Sequence, residues 1–103
     1  MKCSYWKDVV ARLRTESTSA SHVLSTCIDE EGSNLIEALK CVSAEEIIEN
    51  TIFAYNDLDA YVYCREILLQ FNKQKVVEIY EQINNPSEEM IIGVSDVLED
   101  FEE

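Results

Sequence analysis

Enzymatic chemistry needs a reactive group and a neighbour to activate it. This chain offers one histidine, four cysteines, and 21 carboxylates against 8 lysines and arginines. His22 has no nucleophile and orienting carboxylate arranged around it in sequence, so it reads as a surface or capping residue rather than a general base. Cys3, Cys27, Cys41 and Cys64 lie far apart, without a C-x-x-C pair or a nearby histidine to complete a zinc site. They are expected as buried free thiols, which suits a reducing compartment. Glu45 and Glu49 are four residues apart on one helical face, but the Glu-x-x-His partners of a di-iron bundle are missing. Gly32 and Gly93 are the only glycines, which rules out a glycine-rich phosphate loop. The expectation is therefore no metal, no cofactor and no enzyme.

The residue types that remain are suited to recognition. The segment Tyr55-Asn-Asp-Leu-Asp-Ala-Tyr-Val-Tyr63 sets three tyrosines beside Asp57 and Asp59. Tyrosine supplies contact area and aspartate supplies charge for an Arg- or Lys-rich partner. With Glu45 and Glu49, and with Glu88 and Glu89 at the start of the last helix, these residues form the candidate partner-binding set: Glu45, Glu49, Tyr55, Asp57, Asp59, Tyr61, Tyr63, Glu88 and Glu89. The ordinary alternative is that the tyrosines are half-buried core residues with wet hydroxyls.

The formal net charge of -13 accompanies 47% hydrophobic residues, which separates the chain from disordered acidic tails. Such a surface repels nucleic acid and anionic membranes and attracts basic surfaces. Four of the eight basic residues, Lys2, Lys7, Arg12 and Arg14, fall in the first fourteen positions with only Asp8 against them. That stretch is +3 and the rest of the chain is -16. The first helix is expected to pack against the acidic remainder and relieve its repulsion.

Helical periodicity supplies the frame for these residues. Trp6, Val9, Val10 and Leu13 follow i, i+3, i+4, i+7 spacing after a Ser4 cap, and Val23, Leu24, Cys27 and Ile28 mark a second helix closed by Gly32. Leu35, Ala38, Leu39 and Val42 mark a short third. From Ser43 to Asn84 three apolar patterns follow closely and form the stretch around which the chain is organised. The first opens on a Ser43/Glu46 capping box, the second runs through Leu58, Tyr61, Cys64, Ile67, Leu68 and Phe71, and the third through Val76, Ile79, Tyr80 and Ile83. Asn85 as cap with Pro86 at the first helical position then opens a last helix, striped by Met90, Ile91, Val94, Val97, Leu98 and Phe101. Residues 86–103 contain seven acids and no base. The fold class is all-α: a single helical domain over 1–103, a compact bundle of about six to seven short helices. The echo between Ser43-Ala-Glu-Glu-Ile-Ile and Pro86-Ser-Glu-Glu-Met-Ile keeps HEAT-like stacked helix pairs as the alternative.

In size, charge and helical composition the chain resembles bacterial immunity proteins that neutralise nuclease toxins, particularly the all-helical immunity proteins of contact-dependent growth inhibition systems whose toxins are ribonucleases. The resemblance implies a cognate toxin domain, bound 1:1, whose active-site cleft this protein covers. Carboxylates would take the places of substrate phosphates on the toxin's lysines and arginines. Two other classes fit the same composition: a nucleic-acid mimic of the anti-restriction or anti-CRISPR type, and an acidic helical adaptor or chaperone whose charge serves solubility. The N-terminal residues lack the apolar run of a secretory signal and no stretch reaches transmembrane length, so the expected location is cytoplasmic, without a membrane or direct nucleic-acid partner.

Overall fold

A computed structural model describes residues 2–15 and 33–101 of the chain. The second expected helix, with His22, Val23, Leu24, Cys27, Ile28 and Gly32, lies outside them. Among the described residues there are six α-helices and no strand: α1 (Lys2–Thr15), α2 (Ser33–Leu39), α3 (Ala44–Phe53), α4 (Tyr61–Leu68), α5 (Lys73–Glu81) and α6 (Glu88–Asp100). Two 3-10 turns, Ala54–Asn56 and Leu58–Ala60, join α3 to α4. The protein is an all-α bundle, with a radius of gyration of 12.5 Å and extents of 35 × 31 × 24 Å.

Three helix starts are set by side chains that take up a free backbone N–H of the first turn. The Ser43 hydroxyl accepts from the Glu46 N–H at 3.2 Å. The Asn72 side chain accepts from the Lys75 N–H at 2.7 Å. The Ser87 hydroxyl accepts from the Met90 N–H at 3.3 Å. The last of these corrects the expected cap. Asn85 takes a positive φ of 53°, a left-handed conformation that asparagine tolerates, and the chain leaves it through Pro86 before the helix begins. Ser43 and Ser87 are thus the caps of α3 and α6, one residue out of step with the echo noted in the sequence, which sets Ser43 against Pro86. Ser4 caps nothing, because α1 already includes it.

The expected continuous helix from Leu58 begins as a 3-10 turn and becomes α-helical only at Tyr61. Asp57 has extended backbone angles, and its Oδ1 accepts from the Asp59 N–H at 3.0 Å. Such an aspartate turn offers the backbone an alternative partner and interrupts the helix.

The core gathers around α3, which packs against α1 on one side, α5 on another, and α4, α6 and the first 3-10 turn on the rest. Ile47, Ile48 and Ile52 are buried there, and the buried Thr51 hydroxyl donates to the Ile47 carbonyl at 2.6 Å. Trp6, Val9, Val10 and Leu13 of α1, Val76 and Ile79 of α5, and Met90, Val94 and Val97 of α6 join the same cluster. One central helix touched by four others is a bundle arrangement rather than a stack in which each pair meets only its neighbours. Two apolar positions differ from the periodic reading. Leu39 and Ile91 face solvent, because nothing among the described elements covers the outer side of α2 or that flank of α6.

The cysteine expectation is corrected in part. Cys3 of α1 and Cys41, just beyond α2, form a disulfide with Cα atoms 4.9 Å apart across a sequence separation of 38. Spacing along the chain carried no sign of this, since only the folding of α1 onto α2 brings the two together. Cys64 is free and buried, as expected, and Cys27 lies outside the described residues.

Candidate partner-binding surface

The second half of the recognition set is assembled by two helices running side by side in the same direction. The Tyr61 hydroxyl donates to the Asp96 carboxylate, and Arg65 Nε donates to Asp100 Oδ2 at 2.6 Å. Both pairs are 35 residues apart in sequence, so α4 and α6 keep one register along a parallel seam. At its opening end the Ser87 hydroxyl donates to Asn56 Oδ1 at 2.5 Å, placing Asp57 and Asp59 beside Glu88 and Glu89. Gly93 makes the close approach possible: a Cβ there would overlap the ring of Tyr55.

Tyr55 itself is a correction. It is 1% exposed, beneath α6 and edge-on to Tyr61 with ring centroids 5.4 Å apart. It cannot offer contact area to a partner. Its role is to floor the seam. Its hydroxyl and Asp57 Oδ2 are buried with no hydrogen-bond partner among the described residues. Burial, followed by the negative charge of nearby groups, pushes the Tyr55 phenol up. Burial also pushes up the Cys64 thiol, and the charge of Asp57 adds to this, so Cys64 stays protonated and unreactive.

The other predicted residues divide. Tyr61 is half-buried in the seam. Tyr63 is also half-buried, but two residues round the helix from Tyr61 it points away from α6. Asp59, Glu88 and Glu89 are exposed at the seam's opening end. Glu45 belongs elsewhere: it pairs with Lys75 of α5 at 2.5 Å, and the hydrogen bond with that lysine holds its carboxyl below the usual range. Glu49 follows one turn later on α3, half-buried. The structure therefore brings together Asp57, Asp59, Tyr61, Glu88 and Glu89 and leaves out Glu45, Glu49 and Tyr63.

Sequence reasoning missed Val62, Glu66, Ile92, Asp96, Glu99 and Asp100, all exposed on the same two helices. The matching four-residue steps from Tyr61 to Arg65 and from Asp96 to Asp100 were the available signal, but no register between the two segments is visible before they meet.

The charge of the described residues is unevenly placed. Residues 57–66 and 88–100 hold eight carboxylates and a single cation, Arg65, for a net charge of -7. That arginine is engaged by Asp100, whose hydrogen bond and charge raise its affinity for its proton. All other described residues together carry seven acidic and seven basic side chains, which cancel. The whole negative balance of the described chain thus lies on the α4/α6 side. No group of residues suited to holding a metal ion occurs among the described residues.

Fold and surface define an all-α protein whose described residues carry their net negative charge on one side. No family model, curated protein or solved structure matches the chain.

Proposed function

We propose that this is an immunity protein: it binds a cognate basic nuclease toxin domain, one to one, and occludes the cleft in which that toxin holds RNA. The observation that carries this reading is the concentration of net charge, -7 on the α4/α6 side against zero on the rest of the described chain. Eight carboxylates, six on two parallel helices and two in the turn that leads into α4, match what a phosphate-binding cleft attracts, and a coherent field raises the rate of capture by up to about a thousandfold at low salt. Fast capture is what an inhibitor of a lethal enzyme needs. No helix of the described chain is long and apolar enough to cross a membrane, and the proposed site of action is the cytoplasm, where the toxin meets its substrate. Inhibition asks no catalysis or cofactor of the inhibitor.

The test is co-expression with a basic nuclease domain, taken from the reading frame directly upstream where that frame encodes one. The wild-type chain should restore growth, and Asp59→Lys with Glu88→Lys, both exposed, should lose that protection by weakening binding at the opening end of the seam. Undiminished protection by the double variant removes this junction from the interface. Failure of the wild-type chain to protect overturns the reading. A nucleic-acid mimic would instead be displaced from several DNA-handling proteins by plain duplex DNA.

A further inference from the structure

Charge is only half of what the seam presents. Val62 of α4 and Ile92 of α6 are large apolar side chains left 60% and 53% exposed. Their positions follow from the bonds across the seam. Ile92 precedes Asp96 by one turn in the row that continues to Asp100, the row facing α4. Val62 follows Tyr61 directly and begins the outer row that continues to Glu66, away from the buried Cys64. Both therefore lie on the outer side of the two helices, Val62 next to Tyr61 and Ile92 one turn nearer the opening end, with carboxylates beyond them on each helix.

Isolated exposed apolar residues are common and need no explanation. An apolar pair astride a seam whose surroundings are net -7 has a narrower set of occupants. A nucleic acid or lipid headgroup is repelled, and a purely cationic chain leaves the pair uncovered. We propose that the outer side of the α4/α6 seam docks a basic protein surface that presents an apolar side chain between its cations, with Val62 and Ile92 covered by that side chain and the carboxylates taking up the surrounding lysines and arginines. This deepens the reading of a basic partner and rests on it. Electrostatic contacts set the approach, and the covered apolar area gives an attraction that salt does not screen.

The test uses the full chain and two synthetic peptides of equal length and charge, one an amphipathic helix with leucines along one face and lysines along the other, the second lysines spaced by glycine and serine. Amide spectra titrated with each locate the contact. The amphipathic peptide should shift residues 57–66 and 88–100, bind about tenfold more tightly than the lysine–glycine–serine peptide, and keep most of its affinity at high salt. Val62→Ser with Ile92→Ser should abolish the tenfold preference, while Ile36→Ser, an exposed apolar residue on α2, should leave it intact. All three residues are solvent-exposed, so unchanged spectra away from the substitutions report that the fold is kept. Equal affinity of the two peptides, or a preference that survives the double variant, overturns this inference while the charge reading stands. If neither peptide perturbs the seam, the charge reading falls with it.

Discussion

The two sides of this small bundle share one core and differ in what they show to solvent. Helices α1, α2, α3 and α5, with the turn after α2, balance seven acids with seven bases, and the Glu45–Lys75 pair ties α3 to α5 across the surface. The α4/α6 side has eight acids and one base, and its single cation is already spent on Asp100. Stability alone would favour spreading the charge evenly, because like charges on adjacent helices repel. The imbalance survives on two helices that run parallel, and the last turn of α6 carries Glu99 and Asp100 with no base, where the helix dipole prefers cations. A surface kept in that state against its own repulsion is the physical basis for the proposal of a cationic partner.

The most forceful test of the shared core is Ile48→Ala in α3. Ile48 is fully buried where both sides meet, and its truncation should cost about 4 kcal/mol. Trp6 fluorescence reports the α1 side, and the amide signals of residues 57–66 and 88–100 report the seam. The two transitions in urea should move together, and separate midpoints would show that the sides unfold independently. Gly93→Val acts from the seam alone, driving a side chain into the Tyr55 ring, and should cost about 3 kcal/mol in the same measurement.

Alkali addresses the floor of the seam. The Cys64 thiol has its pKa raised by burial in the folded state, so above about pH 8.5 the unfolded chain releases a proton that the folded chain retains. Stability contributed by the protonated thiol is complete below that pH and declines as pH rises, by up to about 1 kcal/mol per pH unit. Cys64→Val should flatten this slope between pH 8.5 and 9.5, and an unchanged slope would assign it to other groups. The smallest effect separates field from dipole. Glu81→Lys on α5 and Glu99→Lys on α6 both replace an exposed acid in the last turn of a helix, so both gain from the dipole. Only Glu99→Lys also relieves the seam, and it should raise the melting temperature by about 3 °C more than Glu81→Lys at low salt, with the excess vanishing at high salt. Equal shifts would mean that the seam's charge is too well solvated to matter.

Much of the fold was legible because its signals are local. Ser43 and the Met90–Val94–Val97 stripe act within one or two turns, and the structure uses each as its spacing suggests. The shift of the last cap from Asn85 to Ser87 was hidden by two competing local solutions, one of which required the left-handed conformation that Asn85 adopts. The candidate surface was only half legible. Asp57, Asp59, Glu88 and Glu89 were found through composition, whereas Tyr55 looked identical to Tyr61 in sequence and turned out to lie under α6 because Gly93 admits its ring.

Taken alone, the amino-acid order determined that this chain is helical and strongly acidic and marked the stretch from Ser43 to Asn84 as the one it is organised around, because periodicity, capping and net charge are properties of neighbours or of totals. That α3 alone stands at the centre came from packing. Tertiary structure decided where that charge collects, that Cys3 meets Cys41, and that Val62 and Ile92 flank one seam. Those outcomes depend on the register between segments about 35 residues apart, which packing against a common core sets and no local pattern encodes.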